Sequence, residues 1–220
     1  YALIERGITA RTTKEIISTV TLLINKGKVS TLAKAETSII REFLYEQKQN
    51  RLWSNRTFRN KRQYLKSFFD FCIRRGYLRK NPMEAIEKPK IAKALPRCLS
   101  KAQVEKLLLV SDTYEWNSRI AEKRNRAIIR TFLFTGIRLS ELLHLKTQEV
   151  NFEEREIFIK EGKGRKDRIV PIHAELYPYL KSYHSLKKTP TEYFFPSLRS
   201  DKPLTEKNLY AVIKKLKKAC

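Results

Sequence analysis

An arginine and a lysine are the side chains of this sequence best suited to chemistry on a phosphate group. Arg138 stands in TGIRLSEL, and Lys163 lies between two glycines in EGKGRKDRIVPI. A guanidinium offers a rigid fork of donors that matches two phosphate oxygens, and Glu141, three residues further on, can orient it. A lysine ammonium can protonate a leaving alkoxide if its surroundings adjust its pKa. The structural alternatives are an ordinary Arg–Glu pair and a basic hairpin that makes ordinary phosphate contacts.

Turns are expected to present both side chains. Gly136 permits a sharp turn at a helix junction, which projects the next side chains out of the core. The runs 156–160 and 168–172 alternate or are β-branched around two glycines, so they predict a β-hairpin with Lys163 at its tip. Five of the nine residues at 160–168 are basic, namely Lys160, Lys163, Arg165, Lys166 and Arg168.

The whole chain is basic, with a formal net charge of +24 at pH 7. Residues 1–90 carry 20 basic and 8 acidic side chains, and residues 91–220 carry 27 and 15. Two equally basic halves favour a polyanionic partner that both halves bind. A soluble protein from a lysine-rich proteome is the alternative interpretation.

Several classes of protein are disfavoured. Three cysteines at irregular spacing, Cys72, Cys98 and Cys220, predict neither a disulfide framework nor a metal site, and they favour a reducing cytoplasm. We expect Cys72 to be a small core residue. No apolar run approaches the roughly 20 residues of a membrane span, and no signal peptide is recognised.

The first ninety residues are predicted to be all-helical. Thr12 and Glu15 form a capping-box pattern ahead of a helix that ends at Gly27, and a second helix is expected at 33–49. A third helix is expected from Ser54 or Asn55 to Gly76. Its first turns carry Arg56, Arg59 and Arg62, which are candidate phosphate contacts or simply a solvated polar face.

The remainder is predicted to mix helices with the hairpin. Ser100 and Gln103 form another capping-box pattern, a buried helix is expected through 127–134, and helical spacing resumes at 139–145. Two further helices are expected around 174–187 and 205–219, the latter capped by Thr205. The fold class predicted for the whole chain is therefore mostly α, of the α+β type.

Prolines divide the chain. Pro82, Pro89 and Pro96, three of the eight prolines, fall within fifteen residues. Because proline cannot continue a helix, this stretch is interpreted as a connector. We predict a helical domain at 1–88, a linker at 89–98 and a second domain at 99–220.

TGIRLSEL, followed by a strand pair around GKGRKDRIVPI, closely resembles the tyrosine recombinase (lambda-integrase-type) family, especially its Xer-like and phage-integrase branches. RGITARTTKEI at 6–16 and FFDFCIRRGYLRKNP at 68–82 are similar to the start and the end of the family's core-binding domain. PKIAKALPRCLSKAQVEKLL at 89–108 resembles the linker and the opening of the catalytic domain. The order and spacing of these motifs extend the resemblance over nearly the whole chain.

The resemblance implies a transesterification on double-stranded DNA without metal or cofactor. A tyrosine hydroxyl attacks a phosphate to give a 3′-phosphotyrosyl link, and the free 5′-hydroxyl then attacks a partner strand. Arg138 corresponds to the first catalytic arginine, Lys163 to the general acid, and Glu141 to the acidic residue that supports the arginine. The resemblance makes the first domain DNA-binding, with Arg56, Arg59 and Arg62 as candidate DNA contacts, and Arg165 and Lys166 are further candidates. The family acts as a homo-tetramer on paired DNA sites, and its two domains clamp the DNA.

Two family motifs are not found in this sequence. None of its three histidines, His144, His173 and His184, begins a His-x-x-Arg box, and no tyrosine stands in a nucleophile-like setting. Tyr210 has helical spacing with Ile213 and Leu216, so we expect it to pack in the core. The chain is therefore interpreted as a recombinase fragment that lacks its nucleophile. The alternatives are a non-catalytic DNA-binding protein or regulator derived from this fold and, with less support, an RNA-binding protein.

Overall fold

The computed structural model describes residues 7–27, 29–50, 53–91, 98–160, 167–187 and 191–220. The chain forms two compact units, Tyr1–Pro96 and Arg97–Cys220. Each unit has its own hydrophobic core and is described by itself. The predicted linker falls mostly on residues outside the described ranges, so its limits stay a prediction.

The described part of the first unit is helical. Its elements are α1 (Ala10–Lys26), a 3₁₀ turn (Leu32–Lys34), α2 (Thr37–Asn50) and α3 (Asn55–Arg74). α1 packs on α3, and α2 contacts both. The core is built from one apolar stripe of each helix and from the segment after α3: Leu23, Val29, Ala35, Ile40, Phe43, Leu44, Phe58, Leu65, Phe69, Met83 and Ile86. Cys72 is buried on the same face of α3, as predicted.

Capping residues fix where these helices begin. Ser54 accepts a hydrogen bond from the backbone N–H of Thr57, which confirms the predicted start of α3. α1 begins earlier than predicted, because Thr9 and not Thr12 is its cap: the Thr9 hydroxyl accepts from the Thr12 N–H at 3.2 Å. Thr12 therefore lies inside the helix, and the predicted Thr12–Glu15 capping box is wrong.

The second unit mixes helices with a small sheet. Its elements are α4 (Lys101–Thr113), α5 (Arg119–Thr135), α6 (Leu139–His144), a 3₁₀ turn (Thr147–Glu149), β1 (Val150–Asn151), β2 (Glu156–Ile159), β3 (Arg168–Pro171), α7 (Tyr177–His184) and α8 (Glu206–Ala219). The strands pair antiparallel in the order β1-β2-β3. The predicted hairpin is confirmed as β2 and β3, and β1 adds a short strand that the sequence did not indicate. The mostly α, α+β fold class is likewise confirmed.

Local signals again set the ends of the helices in this unit. Ser100 and Gln103 form the predicted capping box, with the Ser100 hydroxyl on the Gln103 N–H and the Gln103 side chain on the Ser100 N–H. Thr205 caps α8 through the Asn208 N–H. Gly136 ends α5 in the left-handed conformation, with a φ of 59°. The core under the sheet is rich in aromatic side chains, among them Tyr183, Phe194 and Phe195.

α8 buries a different stripe from the one predicted. Its buried residues are Leu209, Val212 and Leu216, spaced as one face of a helix. Tyr210 lies one position away from that stripe and is 75% exposed. The prediction that Tyr210 packs in the core is therefore wrong, because Val212 occupies the inward position between Leu209 and Leu216.

The described residues were compared with the requirements of a membrane-spanning helix and of a metal site, and they meet neither. No helix among them has the length and apolar character needed to cross a membrane. No group of three or more histidine, cysteine, aspartate or glutamate side chains among them is arranged to hold a metal ion.

Candidate active site

A tight turn between α5 and α6 presents Arg138. The Thr135 hydroxyl accepts a hydrogen bond from the Ile137 N–H at 3.1 Å and donates to the Thr131 carbonyl at 2.5 Å. Gly136 supplies the left-handed residue, and Ile137 is buried as an anchor. With Ile137 fixed inside, the next residue, Arg138, is directed toward the surface, and its side chain is 50% exposed.

Glu141 holds Arg138 in two ways. One carboxylate oxygen, Oε2, accepts from the Arg138 backbone N–H at 2.9 Å. The other, Oε1, accepts from Nη1 of the Arg138 guanidinium at 2.6 Å. Arg138 therefore begins α6 with both its backbone and its side chain tied to one carboxylate, as the spacing of three residues predicted.

A second arginine reaches the same carboxylate from the sheet. Arg168, the first residue of β3, pairs with Ile159 of β2, which sets its position. Its Nη1 donates to Oε1 of Glu141 at 3.0 Å, and its Nη2 donates to Oε2 at 2.6 Å. The parallel pair of charge-assisted bonds is the strong, fork-like geometry of an arginine–carboxylate contact. Arg168 thereby joins the hairpin to the start of α6.

These contacts keep Glu141 ionised although its side chain is only 7% exposed. The pKa of Glu141 is lowered to about 2, chiefly by the hydrogen bond from Arg168 and also by the hydrogen bonds from the Arg138 backbone and side chain. Burial acts in the opposite direction. The same pairing raises the pKa of Arg168. The three side chains together carry one net positive charge at neutral pH.

Arg138 keeps part of its guanidinium for a ligand. Within the part of the chain that the structure describes, its Nη1 donates to Glu141, whereas its Nε and Nη2 make no hydrogen bond. The free edge is therefore a pair of fixed, half-exposed donors, which is the arrangement that binds two oxygens of a phosphate.

A cleft of about 500 Å³ lies beside this cluster. It is lined by Ser140, Glu141, His144, Leu145, Lys146, Glu149, Ile159 and Lys160. Its cations are partly balanced: Lys146 Nζ lies 3.1 Å from Glu192 Oε1, and Lys160 Nζ lies 3.9 Å from Glu149 Oε1. The pairing with Glu192 raises the pKa of Lys146. The cleft is thus a polar surface on which lysine and histidine side chains border Glu141.

Three of the predicted site residues cannot be placed. Lys163, Arg165 and Lys166 lie at 161–166, outside the described residues. The described strands on either side, β2 and β3, show that the hairpin containing them starts and ends next to the Arg138–Glu141–Arg168 cluster.

The three arginines predicted as DNA contacts on α3 have different surroundings. Arg56 and Arg59 are exposed. Arg62 is 5% exposed and donates to the carbonyls of Ile86 at 2.6 Å and Met83 at 3.3 Å. The structure therefore corrects the prediction for Arg62, because its position between Phe58 and Leu65 lies on the inward face of the helix. Arg56 and Arg59 remain predictions.

Arg168 is the residue of this cluster to which the sequence assigned no role. It was counted among the basic residues of the hairpin, but nothing in its neighbours distinguishes it from Arg165 or Lys166. Its contact with Glu141 depends on strand register and on how the sheet packs against α6. The alternation at 168–172 was the only local sign that its side chain has a fixed direction.

Comparison with known proteins agrees with this geometry. The phage integrase family matches residues 97–220. Tyrosine recombinase XerA of Thermococcus onnurineus (strain NA1) is 33% identical over 165 residues, which are 74% of this chain and 54% of that protein. Tyrosine recombinase XerD of Staphylococcus aureus (strain Mu50 / ATCC 700699) is 35% identical over 156 residues, 68% of this chain and 51% of that protein.

Solved structures share the fold at lower identity. The Tn1549 transposon integrase in complex with circular intermediate DNA has a TM-score of 0.72 and 20% identity, covering 100% of this chain and 76% of that one. A lambda integrase dimer bound to a COC′ core site has a TM-score of 0.71 and 16% identity, covering 99% and 60%. The chain spans about half the length of the curated relatives it matches. By its sequence match over the whole second unit, the chain belongs to the phage integrase family of tyrosine recombinases.

Proposed function

We propose that this chain is part of a site-specific DNA recombinase or integrase that acts through a 3′-phosphotyrosyl intermediate. In the proposed reaction the tyrosine hydroxyl releases its proton to solvent, and its oxygen bonds to phosphorus as the bond from phosphorus to the 5′ oxygen breaks. Lys163 gives a proton to that leaving oxygen. The free edge of Arg138 stabilises the charge on the phosphoryl oxygens, and Glu141 supports Arg138. The phosphate diester is exchanged for another diester, so the reaction needs no cofactor.

The observation that supports this proposal most directly is the half-exposed guanidinium of Arg138, fixed by a buried carboxylate. Donors that are already in place when charge develops stabilise a transition state more than donors that must reorganise. A surface ion pair would serve no such purpose, because its carboxylate would be hydrated and mobile. Here the carboxylate is 7% exposed, and both of its oxygens are occupied.

Double-stranded DNA is the proposed partner. The net charge of +24 supports it, as does the fold shared with integrases whose solved structures contain DNA. Arg56 and Arg59 of the first unit, with Arg165 and Lys166 of the hairpin, are the proposed backbone contacts. The proposed assembly on DNA is a homo-tetramer on paired sites, acting on chromosomal DNA in the cytoplasm.

The proposed nucleophile is not among the residues of this chain. Its three histidines lack arginine at the third position on, and Tyr210 is an exposed residue within the regular helix α8. We therefore expect the 220-residue chain to bind duplex DNA without joining it covalently.

Equilibrium binding to a short mixed-sequence duplex tests this proposal. The affinity should fall steeply with salt, by about 0.9 in log K per unit of log salt for each neutralised phosphate. Single-stranded RNA of the same length should compete poorly. After boiling in detergent, no protein–DNA species should remain. Absence of duplex binding would reject the proposed function, whereas a surviving adduct would reject the statement about the nucleophile.

A non-catalytic DNA-binding protein derived from this fold would pass the binding test as well. Lys163→Ala separates the two in a recombination-competent polypeptide that contains this chain. A recombinase variant should lose strand cleavage and keep its duplex affinity, because the ammonium acts on the leaving oxygen. Unchanged strand exchange would remove Lys163 from the proposed reaction.

A further inference from the structure

We infer that Arg168 is a positioning residue that acts through Glu141 to keep the phosphate-binding edge of Arg138 free. This inference rests on the proposed function only for the identity of the ligand, a DNA phosphate, that the free edge of Arg138 binds. It concerns a residue on β3 that is distant in sequence from Arg138 and has no direct hydrogen bond with it among the described residues.

The acceptor sites of the Glu141 carboxylate are fully occupied. An ionised carboxylate has two oxygens with about four lone-pair sites in total. Oε1 accepts from Nη1 of Arg138 and Nη1 of Arg168, and Oε2 accepts from the Arg138 N–H and Nη2 of Arg168. All four sites are therefore occupied, and Arg168 occupies two of them.

The contact of Arg168 with Glu141 prevents Arg138 from making a two-bond contact with the same carboxylate. A guanidinium and a carboxylate preferentially meet through two parallel hydrogen bonds, fork to fork. If Arg138 made that contact, two of its side-chain nitrogens would face Glu141. Because Arg168 already makes the two-bond contact, Arg138 is limited to a single side-chain bond through Nη1. Its Nε and Nη2 consequently stay available.

The buried Glu141 carboxylate needs a fixed positive charge beside it. Removing an ionised group from water is costly unless fixed opposite charge surrounds it. Arg168 is the more sheltered of the two arginines, with a side chain 33% exposed against 50% for Arg138. Strand pairing with Ile159 holds its backbone. Arg168 is therefore the partner that keeps Glu141 ionised and in place when the free edge of Arg138 binds a ligand.

A double-mutant cycle on the 220-residue chain tests this role, with a short mixed-sequence DNA duplex as the ligand. The variants are Arg168→Gln, Arg138→Ala and the double variant. Arg199→Gln, an exposed arginine on a loop of the same unit, is the charge-matched control. If Arg168 acts through Arg138, we expect Arg168→Gln to weaken binding about five-fold or more in the parent chain and less than about two-fold in the Arg138→Ala background. The control should show the same effect in both backgrounds.

Titration of the Glu141 carboxyl carbon by NMR provides a readout that does not depend on DNA. In the parent chain its pKa should lie near 2, and Arg168→Gln should raise it toward the ordinary value of 4.5. Arg168→Lys keeps the charge but loses the fork, so it should give an intermediate pKa and partly restore binding. It also serves if the glutamine variant folds poorly.

The outcomes separate the two proposals. Additive losses in the cycle would mean that Arg168 contacts DNA directly and would overturn the positioning role, as would a Glu141 pKa unchanged by Arg168→Gln. Failure of the parent chain to bind any duplex would reject the proposed function instead. The Glu141 titration would then decide by itself whether Arg168 controls this carboxylate.

Discussion

Arg62 in the first unit and Arg138 in the second are held in opposite ways. Arg62 is buried and donates to two backbone carbonyls, and no described carboxylate contacts it. Burial lowers its pKa. Arg138 is half exposed and is held by one buried carboxylate, with part of its guanidinium free. The first arginine uses its donors to fix a loop, and the second retains donors for a ligand.

The difference does not follow from the unit. Arg124, in the second unit, is buried like Arg62 and donates to the Pro196 carbonyl and the Asn125 amide oxygen. Burial lowers its pKa too. Neutral oxygens accept from both of these buried arginines, although Nη1 of Arg62 has no hydrogen-bond partner among the described residues. A carboxylate does not by itself mark an arginine that binds a ligand, because the buried Arg130 donates to Asp112 at 2.6 Å. Arg138 differs in that its carboxylate partner is combined with a half-exposed guanidinium.

The largest effect is expected from Arg62→Met. Removing the guanidinium leaves the Ile86 carbonyl without the donor that Arg62 supplies, and among the described residues it leaves the Met83 carbonyl with only the Ile86 N–H at 3.3 Å. Because a hydrogen bond from a charged group contributes about 1.5–3 kcal/mol, we expect a loss of roughly 2–4 kcal/mol in the free energy of unfolding of the first unit. The chain has two tryptophans, Trp53 in the first unit and Trp116 in the second. In a Trp116→Phe background, urea unfolding followed by Trp53 fluorescence measures this unit.

Two controls accompany that measurement. Arg59→Met makes the same substitution on the exposed face of α3, and Arg138→Met makes it at the candidate site. Each should change the free energy of unfolding of its unit by less than about 1 kcal/mol. A loss at Arg138 as large as that at Arg62 would remove the distinction between the two arginines.

A smaller effect is expected from Glu141→Gln, about 1–2 kcal/mol in the second unit, because both arginines can still reach water when the carboxylate is lost. The pKa of Glu141 is lowered in the folded state, to about 2 from 4.5. Its stabilising contribution is therefore complete above about pH 4.5 and is lost as the pH falls toward 2. Urea unfolding between pH 2 and 6, followed by Trp116 in a Trp53→Phe background, should show this dependence in the parent chain and less of it in the variant.

Glu192→Gln is the matched control for that series. Glu192 makes a surface ion pair with Lys146 and has a side chain that is 59% exposed. Its loss should cost well under 1 kcal/mol. An equal pH dependence in the parent chain and in Glu141→Gln would show that Glu141 does not hold this cluster together.

The smallest effect is expected from Arg56→Gln and Arg59→Gln, which should leave folding unchanged. If both residues contact phosphates, each substitution should reduce the slope of log K against log salt by about 0.9. Arg11→Gln, an exposed arginine on α1, is the control. A reduction as large in the control would mean that the slope reports total charge, and α3 would lose its proposed role on DNA.

Signals that act within a few residues predicted the fold well. The Ser100–Gln103 capping box, the Thr205 cap and the break at Gly136 all lie where the sequence indicated. The pair of Arg138 and Glu141 was likewise predictable, because three residues on one helix fix their separation. Each of these features depends only on residues that are neighbours along the chain.

The errors concern features that distant residues decide. Whether Tyr210 or Val212 faces inward depends on the helices that α8 packs against, and periodicity alone allows either. Arg62 follows a charged pattern in sequence, yet the Met83–Ile86 segment covers it. Arg168 meets Glu141 only because strand register and sheet packing bring them together. At the start of α1 the cap is Thr9, three residues before the predicted Thr12.

The hydrogen bonds on Glu141 also constrain how this sequence can change in evolution. The carboxylate and its two arginines are encoded by separated codons, yet one chemical balance links them. A codon change that neutralises position 141 leaves two cations facing each other, and one that neutralises position 168 leaves the carboxylate open to a two-bond contact with Arg138. We therefore expect the residue tolerated at position 168 to depend on the residue at position 141, so that these two positions change together in related sequences.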